Sequence, residues 1–395
     1  MSHKVLHLLS QRPSYTGSGV SLDAIVRAAA KAGWDQRVVV GTPRDDPAPS
    51  IGGLNPTHVL PLVFGDGDLD FPLPGMSDVM PYESTRWADM TPVQLDAYRT
   101  AWLRHLEPIV AQFKPDVIHS RHIWLLSSLV KNVAPDIPVV THCHATGLRQ
   151  MALCPHLADE VRTGCARNER FLVLHEGHAD ALAETLQIDR TRIHVVGAGY
   201  NSTVFHARGR TPSPNATGRT RPPHGAGDTP PARDLLYVGK YSHAKGVPQL
   251  LDAFERLARR QLDLRLHIAG EGAGPEAEAL RKRMAAMAPR VVMHGQLDQP
   301  ALAGLMRRCA VFVLPSFYEG LPLVVVEALA CGCRVVCTDL PGLRSAFGNG
   351  PGSGIGATPI PALDRIPLPR LIGPDVPHTS DLPAFVDRLT AALDA

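Results

Sequence analysis

Short apolar runs alternate along the chain with stretches whose apolar residues recur every three to four positions. Runs at 5–9, 37–40, 116–119, 138–142, 171–174 and 193–196 have the length and β-branched content of buried strands. Between them, 20–32, 92–113, 123–133, 156–168 and 178–186 carry a helical period. The design then repeats, with strands at 235–238, 265–269, 290–293, 310–314 and 334–337. Its helices fall at 247–260, 275–288, 299–309 and 322–331, followed by a terminal one at 383–393. Strands alternating with helices of this length predict parallel α/β architecture, built twice over.

Three segments break the alternation. Residues 208–233 are dense in Pro, Gly, Thr and Arg with almost no large apolar side chain, so they bury too little surface to offset chain ordering. They are expected to be a flexible linker or loop, dividing an N-terminal domain (1–207) from a C-terminal one (234–380) that precedes the last helix (381–395). Residues 348–380 and 43–91 are also expected to be irregular, and loops as long as the latter are usually functional or disordered.

Composition narrows the class. At 395 residues the chain exceeds the ~150 of a typical domain. With 40 Lys+Arg against 38 Asp+Glu, its balance lacks the excess a nucleic-acid surface needs. No apolar run reaches the ~18 residues of a membrane span, and 1–10 is too short for a secretory leader, so a cytoplasmic chain without a transmembrane segment is expected. Seven cysteines without C-x2-C pairs point to reduced, apolar packing rather than disulfides or zinc.

Candidate chemistry sits where strands hand over to helices. Gly17 and Gly19 follow the first strand, where glycine lets backbone approach a ligand and a helix start offers free N–H groups. Lys240 and Lys245, five apart after 235–238, can face a crevice at the strand's C-terminal edge, where ligands of open α/β sheets bind. Two solvated surface lysines would read the same way. The segment 316–328 follows a buried strand and enters an apolar helix at Pro322, leaving the amides of Gly320, Leu321, Leu323 and Val324 free for phosphate oxygens. Glu319 precedes that helix and Glu327 lies inside it; a buried carboxylate needs a partner, and ribose hydroxyls supply one.

The run from Glu319-Gly320-Leu321-Pro322 through Glu327-Ala328 resembles the Glu-x7-Glu segment of glycosyltransferase family 4. The Gly239-Lys240…Lys245-Gly246 loop resembles that family's diphosphate clamp, 266–272 its strand and glycine turn ending at Gly272, and 293–297 its base-binding turn. The likeness is specific over 235–347 and looser in the first half. It implies a GT-B fold: two Rossmann-like, doubly wound domains with an interdomain cleft and a C-terminal helix. It implies a retaining, metal-independent enzyme that binds a nucleotide-diphosphate sugar, with UDP or GDP as the expected nucleotide, and transfers a hexose-type sugar. By the same resemblance Lys240 and Lys245 hold the diphosphate, Glu327 the ribose and Glu319 the donor sugar. Lys240 stands where the family usually has Arg, which trades a bidentate fork for a point charge.

The acceptor half is rich in histidine. His119 and His122 flank the end of one strand and His142 and His144 the end of the next, so imidazoles converge on one edge. The resemblance puts a functional histidine near 141–144; His144 is the first candidate for catalysis and His122 the second, with Glu319 beside them. A structural role for any one histidine is equally compatible. His119 and His142, with Arg86 and Trp87 of the 43–91 segment, are candidate acceptor contacts. No metal or other cofactor is expected; Asp66-Gly67-Asp68 is a formal D-x-D pair in a Gly/Pro-rich loop. A small-molecule hydroxyl or thiol acceptor, a homodimer, a sugar-nucleotide 2-epimerase and a non-catalytic sugar-nucleotide-binding protein all stay open.

Overall fold

A computed structural model describes residues 2–13, 16–65, 69–207, 234–348 and 363–395. The expected linker at 208–233 and the Asp66–Asp68 pair lie outside the described residues. The chain divides into two compact units, Met1–Gly197 and Ala198–Ala395.

Unit 1 runs β1 (Lys4–Leu9), α1 (Gly17–Lys31), β2 (Asp35–Pro43), β3 (Val59–Phe64), α2 (Pro92–Phe113), β4 (Val117–Arg121) and α3 (Leu125–Val133). It continues through β5 (Val139–His142), α4 (Ala145–Leu153), α5 (Pro155–Cys165), β6 (Arg170–Val173), α6 (Glu176–Leu186) and β7 (Ile193–Val195). All pairings are parallel, in the order β3-β2-β1-β4-β5-β6-β7. The order reverses between β1 and β4, which makes their C-terminal ends the switch point where such sheets bind ligands. α1 starts at Thr16, whose hydroxyl caps Gly19 N, and α2 at a Thr91/Gln94 capping box.

Two corrections arise here. The 43–91 segment is not structureless: it contains β3, which pairs with β2 at the sheet edge. Pro61 within it and an unalternating pattern hid the strand, and an edge is where a strand tolerates proline. Its far end also feeds the core, because Phe71, Trp87 and Met90 are buried against Tyr98, Trp102 and Trp124. α4 was missed because it starts directly behind β5.

Unit 2 runs β8 (Leu235–Val238), α7 (Val247–Ala258), β9 (Leu266–Ala269), α8 (Pro275–Ala286), β10 (Val291–Gly295) and α9 (Gln299–Met306). β11 (Val311–Leu314), α10 (Leu323–Ala330), β12 (Arg334–Thr338), α11 (Pro341–Phe347), β13 (Leu363–Ile366) and α12 (Leu382–Asp394) follow. Its parallel order is β10-β9-β8-β11-β12-β13, with the switch point between β8 and β11. Within 348–380, expected to be irregular, β13 pairs with β12; its Asp364-Arg365 pair disguised an edge strand. α12 buries Phe385, Val386, Leu389 and Leu393 and packs on α7, with Phe317 5.4 Å from Phe385. Each such side chain contributes about 1.5–3 kcal/mol by leaving water. All seven cysteines are buried and unpaired. No helix among the described residues is long and apolar enough to cross a membrane.

Candidate functional site

In unit 2 the switch point brings the loops after β8 and β11 together. Gly246 caps α7 at φ +67°, and a Cβ there would sit 2.2 Å from Pro315 O, so only glycine lets the first loop lie across the second. Phe317 N donates to Ala244 O at 2.9 Å across the same crossing. A second close approach pins the loop's start: at Gly270 (φ +120°) a Cβ would meet Gly239 O at 2.2 Å. The buried Tyr237 hydroxyl donates to Lys240 O at 2.7 Å, and burial, then Glu319 and Tyr241, push that phenol far above its usual range.

The crossing loops place Lys245 Nζ 2.6 Å from Glu319 Oε1 and 3.4 Å from Tyr318 O. Ser316 Oγ donates to the same carboxylate oxygen at 3.0 Å. Both charged groups stay partly exposed, at 22% and 19% of their side-chain surface. Gly320 and Leu321 lead from Glu319 to α10, and the amides of Leu323 and Val324 in its first turn have no partner within the helix. Glu327 lies inside α10, 6% exposed, and burial alone pushes its carboxyl up to about 7. Gly272, in the turn after β9, accepts from Arg281 Nη2 at 2.9 Å.

In unit 1 the register sets His7 beside His119 and Arg121 beside His142, all on one sheet face. The hydrogen bonds fix the tautomers. Gln36 Nε2 donates to Val26 O, so its Oε1 accepts from His7 Nε2 at 3.1 Å. His7 Nδ1 then accepts from His119 Nδ1 at 3.0 Å, and His119 Nε2 keeps an unshared lone pair. Burial lowers His7 to about 4 and His142 to about 3, the latter helped by Arg121 and His178. His119 is held well below its ordinary value by burial, then by Arg121, His7 and His142.

His144 caps α4 and is only partly enclosed. It stacks on His142 at 4.8 Å and accepts from Arg121 Nη1 through Nε2 at 3.1 Å. Burial first, then His122, His142, Arg121 and His178, hold it neutral. His122 adopts φ +66° in the turn after β4, takes a 3.1 Å contact from Thr146 Oγ1 at Nδ1 and lies 4.7 Å from the His144 ring. A bulky residue there is strained, a feature common at ligand sites. Gly17 and Gly19 open α1, Gly17 exposed and Gly19 buried. Arg86 is half-exposed and faces Asp78 and Asp89 at 3.8 and 3.6 Å. Trp87 is enclosed in the aromatic core, edge-on to Tyr98 and Trp124.

The four histidines named from sequence therefore meet along β4, β5 and the turns behind them, while Arg86 and Trp87 stand in the 43–91 segment. Sequence reasoning passed over Arg121 and Ser21, and took Gly270 only as part of the 266–272 glycine turn. Arg121 left a signal, since a charged residue two places from His119 in an apolar strand must share its face. That a side chain at 270 would strike Gly239 left no signal, because it depends on where Gly239 lies.

Comparison with known proteins follows the same division. The family model described as "Glycosyl transferase 4-like domain" matches residues 16–199, and "Glycosyl transferases group 1" matches 232–359. Glycogen synthase of Mycobacterium tuberculosis is 31% identical over 248 residues, 60% of this chain and 55% of that protein. The chain thus spans about half the length of that relative. A D-inositol 3-phosphate glycosyltransferase of Xylanimonas cellulosilytica is 29% identical over 67% of this chain and 65% of its own. Among solved structures, sucrose-phosphate synthase of Thermosynechococcus elongatus superposes with a TM-score of 0.68 at 16% identity, covering 99% and 90% of the two chains.

Proposed function

Because the chain belongs to the GT-B glycosyltransferases of the family 4 type, we propose that it is a retaining transferase that moves a hexose-type sugar from a nucleotide-diphosphate sugar to a small-molecule hydroxyl or thiol. The observation that carries this reading is the meeting of Lys245, Glu319 and the start of α10 at the unit 2 switch point. A diphosphate there would find an ammonium group and unshared amides, with Glu327 a short way along the helix for the ribose. Lys240, whose carbonyl Tyr237 fixes, lies on the same loop.

The difficult event is cleavage of the bond between the anomeric carbon and the phosphate oxygen. Negative charge grows on the leaving diphosphate, and fixed cations and amides stabilise it more in the transition state than in the ground state. The acceptor oxygen attacks from the face the phosphate leaves. Its proton passes to an oxygen of the departing phosphate, attack on the same face keeps the configuration, and the reaction is proposed to need no metal. His144, held neutral by burial, and His122 are proposed to orient the acceptor; Glu319 is proposed to hold the donor sugar once Lys245 turns to the phosphates.

The test is release of nucleoside diphosphate from UDP- and GDP-sugars by the full chain, with and without a chelator. The anomeric configuration of the product is read by NMR coupling constants. Acceptor-dependent turnover, unaffected by chelation and with the donor's configuration, is expected. Inverted product would remove the front-face mechanism. Absence of both turnover and a nucleotide-induced rise in Tm would remove the donor assignment.

A further inference from the structure

Arg121 is 1% exposed, and among the described residues no carboxylate faces it: the partners its guanidinium has there are neutral. Nη1 donates to His144 Nε2 at 3.1 Å; Nη1 and Nη2 reach Ser21 Oγ only at 3.4 and 3.3 Å, and Nε has no partner among the described residues. Burial lowers its pKa to about 9 and nothing raises it. A buried cation without a counter-charge is costly, and two long bonds to one hydroxyl offset little of that cost. The surroundings deepen the deficit. His142 and His178, close enough to act electrostatically on His144, leave all four ring nitrogens without partners among the described residues while burial keeps both rings neutral.

These groups stand at the C-terminal edge of the unit 1 sheet, where β4 ends. Ser21 belongs to the first turns of α1, and His144 caps α4. Both helices therefore direct their positive ends toward the edge that holds the guanidinium. Ser21 and His144 are the partly exposed members of the group, and both contact the guanidinium.

We propose that Arg121, Ser21 and His144 form an oxyanion site in unit 1 that binds a phosphate group. A phosphate would replace the weak hydroxyl contact with a paired, charge-assisted bond to the guanidinium fork, and Ser21 Oγ would donate to it. The same chemistry can come from a phosphorylated acceptor or from the diphosphate of the nucleotide donor. The inference concerns binding, and it stands or falls independently of whether sugar is transferred.

The experiment follows Tm of the full chain against inorganic phosphate at constant ionic strength. Lys240→Ala/Lys245→Ala is used as background so that the unit 2 loop cannot answer. Phosphate should raise Tm saturably in that background, and adding Arg121→Gln should abolish the rise. An equal response with and without Arg121→Gln, or no response at all, overturns the site. Ser21→Asp covers the case in which Arg121→Gln does not fold. By supplying an internal counter-ion it should raise Tm without phosphate and cancel the phosphate response; a retained response overturns the proposal. UDP titration in the otherwise wild-type chain then separates the sources. A tenfold or greater loss of UDP affinity in Arg121→Gln assigns the site to the donor. Unchanged UDP affinity, with phosphate still binding at saturating UDP, assigns it to the acceptor.

Discussion

Lys245 Nζ lies 2.6 Å from Glu319 Oε1, an ion pair across 74 residues of chain, made because Gly246 lets one switch-point loop cross another. Glu319 therefore positions the cation proposed to receive the diphosphate, and Ser316 in turn positions Glu319. A partly solvated pair of this kind adds little to stability, so its main effect should fall on turnover. Lys245→Ala should lower kcat/KM about 100-fold or more, as loss of one preorganised charge donor does, with Tm nearly unchanged. Steady-state kinetics with near-normal kcat/KM would refute the diphosphate assignment.

A related prediction concerns glycine. Gly270 and Gly274 both have positive φ, +120° and +92°, but only at Gly270 would a Cβ strike backbone, 2.2 Å from Gly239 O. Gly270→Ala should therefore cost more than the ~1–3 kcal/mol of backbone strain and displace Gly239, next to Lys240. Gly274→Ala, with nothing within 4 Å, should bear only the strain. Chemical denaturation of both variants, with donor KM measured alongside, checks the difference; equal costs would mean the backbone crossing is soft.

These residues also show what the sequence could and could not disclose. The two sheets, most of their helices and the Glu319–Glu327 segment were legible because buried parallel strands are continuous apolar runs and longer helices keep their period; the short α4 and α11 were not. β3 and β13 were not, since an edge strand with Pro61 or Asp364-Arg365 has one neighbour and no reason to be uniformly apolar. The Lys245–Glu319 contact could not be read at all, because spacing along a chain does not say which loops cross. The histidines were visible as a group, but their division of labour was not. His7, unremarkable in sequence, proved to be the partner that fixes His119's proton.

That division yields a third prediction. His119 is tied into a sheet-spanning chain through His7 and Gln36, whereas His144 is partly exposed with Nε2 engaged by Arg121. His144→Ala should lower kcat by about 100-fold, the range of a positioned proton-handling or orienting side chain. His119→Ala should act on Tm instead, by opening a cavity and orphaning His7. Kinetics and thermal unfolding of the two variants distinguish the roles; a reversed pattern would move the acceptor assignment to β4.

The buried titratable groups make the last prediction, in which the two units answer pH with opposite signs. Burial raises Glu327 from 4.5 to about 7, so the folded chain binds a proton the unfolded one has released. Its contribution is whole below about pH 4.5 and is lost as pH rises through 7. His7, His142 and His178 are lowered from 6.5 to about 4, 3 and 4, mainly by burial. The unfolded chain there binds more protons, so their contribution is whole above pH 6.5 and is lost as pH falls toward 4. Glu327→Gln should accordingly stabilise the protein at pH 8 by up to roughly 3 kcal/mol, the size of the pKa displacement, and change little at pH 4.5. The acid limb below pH 6.5 should persist in that variant, because it belongs to unit 1. Calorimetric scans of both proteins from pH 4.5 to 8 decide the matter. A gain from Glu327→Gln that is the same at every pH would show that the carboxyl is not held protonated by burial. The variant's nucleotide affinity, measured at pH 8, then separates that stability effect from a role in holding ribose.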